Sequence, residues 1–107
     1  MLFNSKTLYN AAVAAAGNST VMELLQTTKL SVSCAYTVVT GSYTLQLQES
    51  NDQVSWHDVS GASTAVTATG KALYKVSDAV CKFYRVNIAK TSGDITLLTI
   101  EAHTKGV

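Results

Sequence analysis

The sequence contains no proline, few charged residues and no long apolar run. Without proline, the edge strands of a sheet need another protection against pairing with a neighbouring chain, and lysines or a partner subunit could supply it. No apolar stretch approaches the roughly 20 residues that cross a bilayer as a helix. The N-terminal residues also lack a basic region ahead of a hydrophobic core, which predicts no secretion signal. We therefore expect synthesis in the cytoplasm and no membrane partner.

Charge is scarce and evenly mixed. Charged residues make up 14% of the 107 residues, and the net charge is +1, whereas a globular domain usually has about a quarter of its residues charged. No basic stripe of the kind that neutralises phosphates is present, so nucleic acid is not an expected partner. Serine, threonine and glutamine supply the polar surface instead. This balance favours a β-protein with hydroxyl-rich outer faces, or a surface that packs against another protein.

Residues that could carry chemistry are also few. The two cysteines, Cys34 and Cys81, are too few for a disulfide framework or a metal centre, and each lies in an apolar run where a free thiol acts as a small hydrophobe. A single bridge between them is the alternative. The histidines His57 and His103 lie in no motif that pairs a base with a nucleophile. The sequence therefore predicts no catalytic residue, no cofactor and no metal.

Three acidic residues, Glu49, Asp52 and Asp58, surround one turn. Carboxylate oxygens on a loop can bind calcium. Their spacing matches no established calcium loop, however, and acidic residues are common at exposed turns. A solvated turn is therefore the preferred interpretation.

Alternation of apolar and polar residues is the main structural signal. Tyr43, Leu45 and Leu47 alternate with polar residues as in a half-buried strand, and the Asn- and Asp-containing segment 50–53 then supplies turn chemistry. Similar strand patterns cover residues 29–39, 81–89 and 95–102, with turns predicted at 40–42 and 91–94. The predicted core anchors are Leu45, Leu47, Trp56, Tyr84 and Val86.

About eight short strands separated by turn signals predict an all-β fold, an antiparallel β-sandwich or jelly roll without substantial helix. We expect a single domain, with an extended N-terminal arm or first strand at residues 1–19 and the sandwich at 20–107. The alanine-rich segment 10–16 has helix propensity and Gly17 could end a helix there. Because so short a helix is marginal, we favour an extended segment.

Two segments are candidates for contact with another protein. Alternation places Phe83 and Arg85 on the face opposite Tyr84 and Val86, and an outward aromatic beside an arginine is typical of an interface hot spot. The alternative is an arginine stem that lies over a ring on a free surface. The N-terminal segment could lie flat on a neighbouring molecule. The candidate interface residues are Leu8, Tyr9, Phe83 and Arg85.

Several short motifs resemble those of small β-sandwich proteins of tailed bacteriophages. The matching segments are Leu45–Asp52 with Trp56, Tyr74–Asp78 and Phe83–Val86, followed by a glycine hairpin and a last strand at 91–97. The resemblance covers about residues 20–102. The hairpin with its tryptophan is also similar, more weakly, to discoidin-like domains, which are longer. The alanine-rich N-terminal segment has no counterpart in the phage proteins.

The phage resemblance implies a function. These proteins include jelly-roll capsid decoration or cement proteins, which bind the exterior of the mature capsid and staple adjacent subunits. It implies a non-enzymatic virion protein, made in the host cytoplasm, whose partners are the major capsid protein and further copies of itself in a dimer or trimer. The alternative is a carbohydrate-binding module of a phage tail or fibre, in which Trp56 would stack against a sugar.

Overall fold

The computed structural model describes residues 3–24, 27–77, 79 and 81–106, so Asp78 of the quoted motif lies outside the described residues. All regular structure in these residues is β, as the sequence predicts. Within the same residues, no helix is long and apolar enough to cross a membrane. The strands are β1 (Phe3–Val13), β2 (Gly17–Asn18), β3 (Met22–Glu23), β4 (Thr27–Ser50), β5 (His57–Val66), β6 (Gly70–Val76) and β7 (Phe83–Gly106).

Two 24-residue strands, β4 and β7, form the centre of the fold. They pair antiparallel along their whole length, from Thr27 opposite Gly106 to Ser50 opposite Phe83. Midway, Gly41 lies opposite Gly93, with φ angles of 80° and 76°. The turns predicted at 40–42 and 91–94 are therefore wrong. Left-handed backbone that glycine accepts readily bends both strands at one point instead of reversing either of them.

The bend divides each long strand between two layers. In the first layer the order is β1, residues 94–106 of β7, residues 27–40 of β4, and β6. In the second layer it is β2 with β3, residues 83–90 of β7, residues 43–50 of β4, and β5. Counting β4 and β7 once in each layer, and β2 with β3 as one strand, gives eight strand positions in the orders 1-8-3-6 and 2-7-4-5. This connectivity is that of a jelly roll.

The two layers enclose one hydrophobic core. Alternating residues of the long strands point into it, and Leu45, Leu47, Tyr84 and Val86 are all 0% exposed. Buried tyrosines also make hydrogen bonds there, as buried phenols usually do. The Tyr43 hydroxyl donates to the Gly93 carbonyl at the bend, at 2.8 Å. The core therefore follows the predicted alternation and also holds the bend in place.

The N-terminal segment is a strand, so the helix considered for residues 10–16 is not formed. β1 pairs with β7, and its register shifts at Leu8, whose side chain is only 2% exposed. The Leu8 carbonyl accepts a hydrogen bond from the Thr20 amide at 3.0 Å, which joins the two layers along one side. The prediction of Leu8 as an interface residue needs correction, because this bulge turns its side chain into the core.

Candidate interaction surface

A compact loop at residues 51–56 places the tryptophan. The Asp52 carboxylate accepts hydrogen bonds from the amides of Val54 and Ser55, both at 2.9 Å, and these bonds lower the pKa of Asp52. The Ser50 hydroxyl accepts from the Gln53 amide at 3.0 Å. Asp52 thus caps backbone groups of the loop, as aspartate commonly does in turns.

The same loop overturns one prediction. Because its hydrogen bonds curl residues 51–55, the strand alternation expected for Val54 and Trp56 is interrupted. Val54 is 82% exposed. Trp56 is half-buried and is not part of the core cluster. Trp56 is therefore not a core anchor, and its ring lies at the outer face of the second layer.

Trp56 contacts Arg85, and two further side chains position the arginine. The Arg85 guanidinium carbon lies 4.2 Å from the centroid of the Trp56 ring. Arg85 Nε donates to Gln48 Oε1 at 3.0 Å, and Gln48 Nε2 donates to Asp58 Oδ1 at 3.0 Å. Strand register produces this row, because Gln48 lies opposite Arg85 on β7 and opposite Asp58 on β5. We call these four residues the Trp56–Arg85 cluster.

The environment of Arg85 desolvates its side chain and holds it in one position. Desolvation lowers the pKa of Arg85, although an arginine remains charged at any physiological pH. A guanidinium on the face of tryptophan is stabilised by about 0.5–1 kcal/mol when exposed and about 2 kcal/mol when desolvated. Because the side chain is already ordered by Trp56 and Gln48, less rotamer entropy is lost when a partner binds it.

Phe83 adjoins the cluster on the same outer face. It lies two residues before Arg85 on β7, as predicted, and is 9% exposed. Lys82 Nζ is 5.5 Å from its ring centroid and 3.6 Å from a carboxylate oxygen of Glu23. Phe83 is thus almost entirely buried within this chain, so its ring offers little surface to a partner.

The other N-terminal candidate, Tyr9, lies elsewhere. It belongs to β1 in the first layer, is half-buried, and donates its hydroxyl to the Ala12 carbonyl at 3.3 Å. Phe83 and Arg85 therefore lie two residues apart on β7, whereas Leu8 and Tyr9 lie on β1 in the first layer. Sequence reasoning missed Gln48 and considered Asp58 only as a carboxylate near the turn. The alternation does predict that Gln48 points outward. An outward residue can contact the outward residues opposite it on neighbouring strands, so this position could have indicated a partner for Arg85.

The cysteines are both free, so the single bridge considered from the sequence is not formed. Burial raises the pKa of Cys34 to about 12. Desolvation, followed by the nearby Glu49, raises the pKa of Cys81. Neither shift favours the reactive thiolate. Over the described residues, no group of three or more histidine, cysteine or acidic side chains could hold a metal ion.

The fold is shared with phage-encoded proteins. The PBSX exported protein XepA superposes with a TM-score of 0.75 at 17% identity, covering 97% of this chain and 37% of XepA. The SPBc2 prophage-derived protein YomS superposes with a TM-score of 0.69 at 13% identity, covering 95% of this chain and 91% of YomS. This chain thus spans little more than a third of the length of XepA.

Other comparisons found nothing similar. No family model matches the chain, and no curated protein matches its sequence. The likeness at such low identity establishes the all-β fold and its occurrence in prophage-encoded proteins. Neither neighbour is described as a capsid decoration protein or as a discoidin-like domain.

Proposed function

We propose that this chain is a non-enzymatic structural protein of a phage particle: a decoration protein that binds the capsid exterior and staples adjacent subunits. The fold is found in two prophage-encoded proteins, which is consistent with a phage origin. The motifs at residues 45–52 with Trp56, at 74–78 and at 83–86 also resemble those of phage sandwich proteins. The protein acts by surface contact and carries out no reaction.

The observation that carries the proposal is the Trp56–Arg85 cluster. Tryptophan and arginine are the residue types that most often dominate binding energy at protein interfaces. Here they are stacked at 4.2 Å and held by Gln48 on the outer face of the second layer. A surface ordered before binding suits a protein whose task is attachment.

The partner is the major capsid protein, and the chain acts as a dimer or trimer. A symmetric oligomer presents several copies of the same surface, so it can contact more than one capsid subunit. Because it binds the assembled shell and not the free subunits, it stabilises the shell by mass action. The site of action is the capsid exterior.

The carbohydrate-binding alternative requires an open tryptophan face. Arg85 covers one face of Trp56, so a sugar could stack on that face only after it displaced the guanidinium. The contact leaves at most the other ring face for a sugar, and we carry forward the decoration function because tryptophan and arginine together are typical of protein interfaces.

The test is binding to purified particles. We expect the protein to co-sediment with capsids, at regular lattice positions in particle reconstructions, and to be absent from the particle-free medium. Arg85→Ala and Trp56→Ala should each weaken binding by about tenfold or more, the effect of a typical hot spot. Val54→Ser, on the same loop but 82% exposed, is the matched control and should bind normally. Recovery only in the particle-free medium would refute the proposal and point to an exported protein.

A further inference from the structure

The outer face of the first layer, on the opposite side of the molecule from the Trp56–Arg85 cluster, contains a groove. Its floor is the small outward side chains of β4, namely Ser31, Ser33 and Ala35. Two depressions of about 240 and 460 Å³ lie along it. The groove forms because longer side chains on both neighbouring strands rise beside this floor. One wall is Lys71, Leu73 and Lys75 of β6, and the other is Thr99, Glu101 and His103 of β7.

The two walls differ in charge. On the β7 wall, Glu101 supplies one carboxylate, and the imidazole Nε2 of His103 lies 3.6 Å from it. On the β6 wall, Lys71 and Lys75 are exposed, and Lys29 extends the basic side at the end of the floor. None of these three lysines takes part in a salt bridge or a side-chain hydrogen bond with another described residue. The groove therefore offers positive charge on one side, although the net charge of the whole chain is only +1.

Spacing defines what the basic wall complements. Lys71, Leu73 and Lys75 alternate on one face of β6, and Leu73 is 55% exposed. Residues i and i+4 of a strand are about 13 Å apart, and the same period holds for any extended chain. An extended segment lying along the wall would therefore complement it with three residues at alternate positions. Two acidic residues would face Lys71 and Lys75, and an apolar residue between them would face Leu73.

We propose that this groove binds an extended acidic segment of a partner protein, with the pattern acidic–x–apolar–x–acidic. The acidic side chains pair with Lys71 and Lys75, and the apolar one packs on Leu73 over the floor at Ser33. Because this face is opposite the Trp56–Arg85 cluster, one molecule could bind both partners at once. The inference is independent of the proposed capsid function.

The test uses the full chain and defined peptides. The probe is a seven-residue serine peptide, blocked at both ends, with glutamate at its second and sixth positions and valine at its fourth. A permuted peptide of the same composition, with adjacent glutamates, is its control. By NMR titration we expect shifts at Ser31, Ser33, Ala35 and Leu73, with the permuted peptide binding several-fold more weakly.

Protein variants separate the groove from general electrostatics. The double variant K71Q/K75Q and its matched control K82Q/K90Q lower the net charge equally. We expect binding to weaken about five- to tenfold in the first, as the loss of two exposed ion pairs implies, and to change little in the second. Ser33→Trp keeps every charge, fills the floor, and should abolish binding. A thermal melt of each variant verifies that it is folded.

Several results would overturn the inference. Equal weakening in both double variants, unchanged binding by folded Ser33→Trp, or equal affinity for the two peptides would each do so. So would an absence of shifts at millimolar peptide. Tighter binding of duplex DNA or of anionic phosphatidylglycerol vesicles than of the peptide, at the same ionic strength, would also refute a protein partner.

Discussion

The paired glycines at the bend allow a sharp test of the fold. A Cβ added at Gly93 would overlap the backbone carbonyl of Thr40, and one added at Gly41 would overlap that of Ser92. These atoms belong to the opposing strand, so neither can move unless the pairing of β4 and β7 opens. Gly93→Ala should therefore be strongly destabilising. Gly61 has a similar φ of 77° but nothing within 4 Å of its added Cβ, which makes it the matched control.

The magnitudes follow from these two environments. A left-handed non-glycine residue costs about 1–2 kcal/mol, and Gly61→Ala should lose only that amount. Gly93→Ala has the same backbone cost and adds a clash that forces the centre of the sheet apart. We expect it to lose at least about 3 kcal/mol in total, a large part of the 5–15 kcal/mol typical of a domain. The corresponding fall in melting temperature is about 12 °C or more.

Urea denaturation of the two variants measures the difference directly. Equal slopes of the transitions would show that midpoint shifts report stability. If Gly93→Ala were destabilised by no more than Gly61→Ala, the tight apposition of the two strands at the bend would be refuted. The layer arrangement that depends on it would then need revision.

Three further predictions concern the core. Tyr74→Phe removes the hydroxyl that donates to Thr64 Oγ1 of the other layer at 2.6 Å. Calorimetry should show a fall of about 1 kcal/mol in the free energy of unfolding. An unchanged free energy would mean that this bond contributes nothing to stability. Leu47→Ala, at a site that is 0% exposed, should lower the free energy of unfolding measured in urea by about 2–5 kcal/mol. Val54→Ala, at an exposed site, should leave it almost unchanged. Similar losses in the two variants would contradict the assigned burial. Burial raises the pKa of Cys34 from 9.0 to about 12. As pH rises between these values, the thiol ionises in the unfolded chain before it does so in the folded protein. The free energy of unfolding should therefore fall over this range, by up to about 1.4 kcal/mol per pH unit. Cys34→Ala should reduce this dependence of unfolding free energy on pH. An unchanged dependence would refute the raised pKa of Cys34.

Local alternation was sufficient to predict most of the core. The strands around Leu45, Leu47, Tyr84 and Val86 bury the residues that the two-residue period selects, because one face of each strand is covered by the other layer. The bend was not predictable in this way. Thr-Gly-Ser and Thr-Ser-Gly-Asp have the composition of turns, and only the register between distant segments shows that the two glycines lie opposite each other.

The candidate surface was predictable only in part. The sequence places Phe83 and Arg85 on one outward face, but the position of Trp56 depends on the hydrogen bonds of Asp52 within its loop. Leu8 was misassigned because a bulge changes its direction, and a bulge reflects pairing with β7 rather than local sequence. The groove was hidden because its floor at Ser31, Ser33 and Ala35 meets the basic wall only when β6 pairs with β4.

The long pairing of β4 with β7 has a consequence for how the chain reaches its native state. Among the residue pairs that join β4 to β7, Ser50 and Phe83 are closest in the sequence, while Thr27 and Gly106 are the most distant. The entropy cost of loop closure is lowest for Ser50 and Phe83. We therefore expect the pairing of β4 with β7 to begin there in the transition state and to extend towards the chain termini. Kinetic φ-values should accordingly be higher at Leu47 and Val86 than at Val32 and Ala102. The reverse order would show that nucleation begins at the termini.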